Sequence, residues 1–156
     1  MTTPFRARLA VALLLPLAVA AAPAFAAGTD SGASTAPAAQ SGYAEAKAAV
    51  DAGRYPEALK RLAAVIKAEP RNADALNLMG YSNRKMNRMA EAARYYDAAL
   101  KANPKHLGAL EYQGEMFVET GDYTSARANL NRLATLCGKC AEYNDLRAAL
   151  AAAGQG

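Results

Sequence analysis

Between residues 42 and 152, apolar side chains recur three and four apart, the spacing that gathers them on one face of a helix. The pattern is punctuated at regular places. Gly42 to Ala52 predicts a first helix with Ala46, Ala49 and Val50 on its buried face, and Gly53 ends it because glycine accepts the left-handed backbone of a helix stop. Arg54-Tyr55-Pro56-Glu57 opens a return helix, with proline in the first turn and an acid near the positive end of the dipole. Leu59, Leu62, Ala63, Val65 and Ile66 form its stripe, and Pro70 stops it. A second pair begins at Ala73-Asp74, buries Leu76, Met79 and Gly80 with Asn83 on the same side, turns at Asn87, and returns over Met89 to Ala102 with Ala92, Tyr95 or Tyr96, Ala99 and Leu100 inward. A third runs through Leu110, Gly114 and Phe117, turns at Gly121, and continues through Ala126, Leu130, Leu133 and Leu136.

These pairs are copies at a step of 34 residues. Gly53, Asn87 and Gly121 stand in register, as do Tyr55, Met89 and Tyr123; Ala58, Ala92 and Ala126; Leu62, Tyr96 and Leu130; Val65, Ala99 and Leu133. Ala46, Gly80 and Gly114 keep the step, and Pro70, Pro104 and Gly138 close the units. A period of this length with two helices per unit is the signature of a stacked repeat, in which one hairpin cannot bury its own face alone. The stretches Gly53-Arg54-Tyr55-Pro56-Glu57-Ala58 and Gly121-Asp122-Tyr123-Thr124-Ser125-Ala126 resemble the turn of the tetratricopeptide repeat family, although the large aromatic often found near the start of its units is replaced by Gly42, Leu76 and Leu110. The resemblance implies an all-α fold: a right-handed superhelical array of three hairpins, at about 39–72, 73–106 and 107–140. Ala141 to Ala152 then reads as a capping helix, with Leu146, Ala149 and Leu150 inward and Glu142, Asp145 and Arg147 toward water.

The residues before the repeats read differently. Met1 to Ala26 has the layout of a secretory signal peptide: Arg6 and Arg8, an apolar run from Leu9 to Ala21, and Ala24-Phe25-Ala26 as a cleavage site. Pro16 interrupts that run, which falls short of the roughly 20 residues of a membrane span, and no cysteine follows to carry a lipid. The sequence thus predicts a periplasmic or secreted protein without stable membrane insertion once the leader is removed. Residues 27–41, rich in Ala, Ser, Gly and Thr, predict a flexible linker, which leaves 42–152 as the folded domain. The formal charge of +4 falls to +2 when Arg6 and Arg8 leave with the leader. The remaining charges are interspersed, with no basic stripe for nucleic acid.

Candidate chemistry is sparse. Cys137-Gly138-Lys139-Cys140 admits three readings. In an oxidising compartment the pair forms a disulfide that staples the cap to the last repeat. A thiol–disulfide redox role wants the first cysteine at a helix N-terminus, whereas Cys137 is predicted at a C-terminus. A structural zinc wants four ligands, and only His106 could join the two cysteines. His106, the one histidine, has no nucleophile placed beside it and reads as a capping or solvated corner residue. The sequence implies no cofactor, no metal site and no catalytic constellation.

In the resembled family the first helix of each unit lines a concave surface where peptides bind. By position, that implies Lys47 and Asp51 in the first unit, Asn77, Tyr81, Arg84 and Lys85 in the second, and Glu111, Tyr112, Glu115 and Glu119 in the third. A family subclass clamps a partner's C-terminal carboxylate with Lys, Asn and Arg, which Lys47, Asn77 and Tyr81 partly allow, but Glu111 and Glu115 put acids where that clamp needs bases. The alternative for Arg84, Lys85, Glu111 and Glu115 is that they pair across neighbouring helices. The expected function is an exported protein–protein interaction scaffold, monomeric or weakly dimeric, with a protein or peptide partner; a redox protein or a structural envelope component is the alternative.

Overall fold

The computed structural model describes residues 35–155. The leader and most of the expected linker lie outside them. Among the described residues there are seven helices and no strand: α1 (Thr35–Asp51), α2 (Tyr55–Ala68), α3 (Ala73–Lys85), α4 (Met89–Ala102), α5 (Leu107–Thr120), α6 (Tyr123–Cys137) and α7 (Ala141–Ala152). Among the described residues no helix is long and apolar enough to cross a membrane. α1 begins at Thr35 rather than Gly42, so part of the segment expected to be a flexible linker is helical. The local chemistry permits it: Ala36, Ala38, Ala39 and Gln40 are good helix formers, and Pro37 falls in the first turn, where its missing N–H costs nothing.

Successive helices pack as antiparallel pairs, α1 with α2, α3 with α4, α5 with α6, and α7 lies on both α5 and α6. The turns inside the pairs are copies of one another. Gly53, Asn87 and Gly121 all have positive φ, at 70°, 58° and 81°. After each, the next residue's N–H reaches back to a helical carbonyl: Arg54 to Ala49 at 2.8 Å, Arg88 to Asn83 at 2.9 Å, Asp122 to Phe117 at 2.8 Å. These bonds satisfy carbonyls that a helix end would otherwise leave bare. The openings of α3 and α5 are also in register. Asn72 Oδ1 accepts from Ala75 N at 2.9 Å, and 34 residues on His106 Nδ1 accepts from Ala109 N at 3.1 Å. With Nδ1 an acceptor, Nε2 carries the hydrogen and donates to Asp74 Oδ1 at 3.0 Å, tying the start of α5 to the start of α3.

The core is built where helices approach closely. Ala46, Leu62, Val65, Ala75 and Met79 form one buried cluster, and Leu110, Ala126, Leu133, Leu146 and Leu150 another. Between them Tyr96 is fully buried against Gly80, where an added Cβ would stand 2.6 Å from the ring. Gly114 plays the same part for the cap, its Cβ position lying 2.4 Å from Leu146. Two residues expected on the apolar stripes do not reach the core: Ala63 is exposed, and Leu136 is 36% exposed. Each sits one position off the buried stripe, Ala63 just after Leu62 and Leu136 just before Cys137, where the helical period rotates them outward.

Odd-numbered helices touch one another along the array, α1 with α3, α3 with α5 and α5 with α7, whereas no even-numbered helix touches the next even one among the described residues. The odd helices therefore form the inner, concave face. Substituting Gly80→Ala should lower stability by about 1–3 kcal/mol, because the methyl must displace a buried ring. Gly53→Ala should cost about 1–2 kcal/mol for a different reason, since its Cβ meets no atom but its φ is left-handed. Urea midpoints of the two variants check both numbers, and Gly80→Ala at parental stability would show that Tyr96 moves aside freely.

Candidate functional site

The inner face carries a cavity of about 330 Å³ lined by Lys47, Val50 and Asp51 of α1, Gly53, Tyr55 of α2, Leu78 and Tyr81 of α3, and Tyr112 of α5. Three tyrosines meet there. The Tyr81 and Tyr112 rings lie 4.9 Å apart, and Tyr55 meets Tyr81 edge-on at 6.3 Å. Lys85 Nζ stands 5.5 Å over the Tyr81 ring, a cation–π distance. Lys47 and Asp51 pair at 2.8 Å on the exposed lip, a contact that contributes little to stability in water. Of the residues expected in the groove, Lys47, Asp51, Tyr81, Lys85 and Tyr112 thus gather in one place.

Arg84, Asn77 and Glu111 differ from the open display that helix position suggests. Each is buried, 5%, 6% and 8% exposed respectively. Arg84 is an internal tie between α3 and α5. Its Nη2 donates to Glu115 Oε2 at 2.6 Å, and its Nη1 reaches the Tyr112 carbonyl at 3.3 Å and Glu119 Oε1 at 3.6 Å. Burial alone would lower its pKa, but the hydrogen bond to Glu115 and the charges of Glu115 and Glu119 help hold it above the ordinary value. The pairing of Arg84 with Glu115 across neighbouring helices, rather than its display to a partner, is what the fold uses. Asn77 Oδ1 and Arg84 Nε are sealed from solvent without a hydrogen-bond partner among the described residues.

Glu111 is different, because nothing among the described residues pairs with it. Burial first, then the negative charges of Glu115, Asp145 and Glu142, push its carboxyl up to about 8 against the pull of Arg84. The neighbouring Tyr112 hydroxyl is pushed up to about 12, by burial and by Glu111. Asp145 lies 34 residues after Glu111, so the repeat register itself carries the acidic column onto α7. Tyr55, Val50 and Leu78 were not expected in the groove: Tyr55 belongs to the turn motif, and only packing shows that its ring faces Tyr81.

At the far end, the Cys137 and Cys140 sulfurs lie 2.07 Å apart, with their Cα atoms 5.6 Å apart. Cys137 closes α6 and Cys140 is the N-cap of α7.

The folded Glu111 carboxyl binds its proton more tightly than an unfolded one, whose ordinary value is 4.5. The native state therefore holds more protons than the unfolded state between those values, and stability should fall as pH rises from about 5 to 8. Glu111→Gln should flatten that slope in urea midpoints measured across the range; an unchanged slope would show that the carboxyl titrates normally.

A family model described as tetratricopeptide repeat matches residues 43–93 and 77–139. No curated protein sequence matches the chain. Among solved structures, the first repeat domain of Spaghetti (RPAP3) bound to an HSP90 peptide is similar at 19% identity and a TM-score of 0.66, covering 74% of this chain and 93% of that one. The TPR2B domain of yeast Sti1, in its pHsp70 complex, is similar at 19% identity and a TM-score of 0.69, covering 75% and 96%. The Yersinia enterocolitica type III secretion chaperone SycD, in complex with a peptide of the translocator YopD, is similar at 16% identity and a TM-score of 0.67, covering 76% and 93%. At these identities the likeness speaks for the fold, and with the matched repeats spanning most of the described residues, the chain belongs to the tetratricopeptide repeat family.

Proposed function

We propose that this chain is an exported scaffold for protein–protein contacts, holding an extended peptide or a helix of a partner in the groove of the odd-numbered helices. The observation that carries this reading is the meeting of Tyr55, Tyr81 and Tyr112 around the inner cavity, at half-buried positions. Tyrosine offers large contact area at low entropic cost and is enriched where binding energy concentrates. The similar structures of RPAP3 and SycD hold a peptide, which supports the same use here. A rigid groove spares the receptor part of the ordering cost of binding.

Export is supported by the leader pattern of residues 1–26, and in an oxidising compartment Cys137 and Cys140 serve as a staple between the last repeat and its cap. The first of the pair ends a helix, the opposite pole from the one that activates a thiolate, so catalysis is not part of this reading. The scaffold acts as a monomer or weak dimer.

Two measurements test the proposal. Photo-crosslinking with p-benzoylphenylalanine at Tyr81, inside the groove, should capture a periplasmic partner that the same group at the exposed Arg132 on α6 does not. Equal capture from both positions would overturn the groove. Removing Arg84 is the wrong control, because it strands Glu115 and weakens the fold. The intact mass of the exported chain should begin after Ala26 and be lighter by the two hydrogens of a disulfide; free thiols or an uncleaved leader would overturn that part.

A further inference from the structure

The two ends of the groove differ in chemistry. The α1–α3 end is aromatic. The α5–α7 end is acidic, with Glu115 on α5 and Asp145 and Glu142 on α7 all acting on Glu111. Acids close together are common on helical proteins and alone mean little. Glu111 adds a second fact: it is more than nine-tenths buried, yet its carboxyl makes no hydrogen bond or ion pair among the described residues. Its oxygens are not among the sealed, unpartnered atoms of the core, so they still reach solvent. A buried acid with no partner is costly unless something else supplies one.

The cation nearest to hand is already committed. Arg84 directs its terminal nitrogens to Glu115, Glu119 and the Tyr112 carbonyl. The groups that act on Glu111 are then Arg84 from α3, Glu115 and Tyr112 from its own helix, and Glu142 and Asp145 from α7, a surplus of negative charge.

We propose that the α5–α7 end of the groove receives an arginine side chain of the bound peptide, with Glu111 as buried anchor and Glu115, Glu142 and Asp145 as an acidic rim. This rests on the groove reading above and adds the chemistry of the partner. Arginine fits better than lysine: its planar fork meets a carboxylate with two parallel N–H donors, and it is more weakly hydrated, so it gives up less on meeting a buried carboxyl. Near neutral pH the free carboxyl holds its proton. As the guanidinium docks, that proton leaves to solvent, and the resulting carboxylate accepts the guanidinium N–H groups. Binding is therefore accompanied by proton release, and it tightens as pH rises toward 8.

The test is carboxyl ¹³C NMR of the mature chain, titrated with Nα-acetyl-arginine amide and, separately, with the neutral isostere Nα-acetyl-citrulline amide. The arginine probe should saturate, move the Glu111, Glu115 and Asp145 signals first, and lower the Glu111 titration midpoint by roughly one unit or more, as an opposite charge does. The citrulline probe should leave Glu111 in place. Glu111→Gln, which keeps the shape of the protonated side chain, should weaken arginine binding about tenfold, the loss expected for one charge-assisted contact. Arginine shifts spread without saturation over exposed acids such as Glu45 and Asp97, or a variant that binds like the parent, would overturn the proposal. The outcome separates from that of the crosslinking: saturation at Glu111 with no capture at Tyr81 would sink the groove reading and keep the arginine site, and the reverse would do the opposite.

Discussion

Close approach of paired helices is the constraint on which the rest depends. Gly80 has no side chain because the Tyr96 ring occupies that space, and Gly114 has none because Leu146 does. Ala46 and Leu62 share a buried cluster in the first repeat, so the first two repeats trade size between partners while keeping the helices close. The short distances let α3 touch both α1 and α5, and that adjacency assembles an inner face. Without it Tyr55, Tyr81 and Tyr112 would sit on separate surfaces.

The same adjacency explains why a buried guanidinium is tolerated. Arg84 lies between Tyr81 and Tyr112, 5.6 and 5.8 Å from their ring centres, and reaches Glu115 on the next repeat. Desolvating an arginine is costly, and a short ion pair with aromatic faces on two sides offsets that cost. A second polar tie runs from the buried Asn129 to Gln113 at 3.0 Å and on to the exposed Asp97 at 2.7 Å, joining α6, α5 and α4. Repeats are thus fastened by directional contacts as well as by apolar ones, which fixes their register as an oily interface alone would not.

The fold was legible in the sequence because its information is local and repeated. The left-handed turn at Gly53, Asn87 and Gly121, the small residue at Ala46, Gly80 and Gly114, the start of α3 and the bounds of α4 and α7 all follow from motifs read along the chain. The site was legible only in part. Helix position placed Tyr81 and Tyr112 on the inner face, but whether a charge there meets solvent or a neighbour is set by packing between repeats. Helix position alone puts Arg84 at the surface for that reason, although its distance from Glu115 is only 2.6 Å in the fold. Tyr55 was missed because its place in the turn motif says nothing of where its ring points. The start of α1 was missed because alanine-rich sequence suits a tether and a helix alike.

The unequal contacts of the two helix layers have a mechanical consequence. Inner helices bear on one another from α1 to α7, while α2, α4 and α6 each meet only helices of the inner layer or the cap. The inner line then behaves as a spine, and the outer helices as ribs that set no contact with one another. The angles at the inner crossings add along the array, so a substitution at one crossing, such as Gly80 or Gly114, would change the curvature of the whole inner face while each hairpin stays intact.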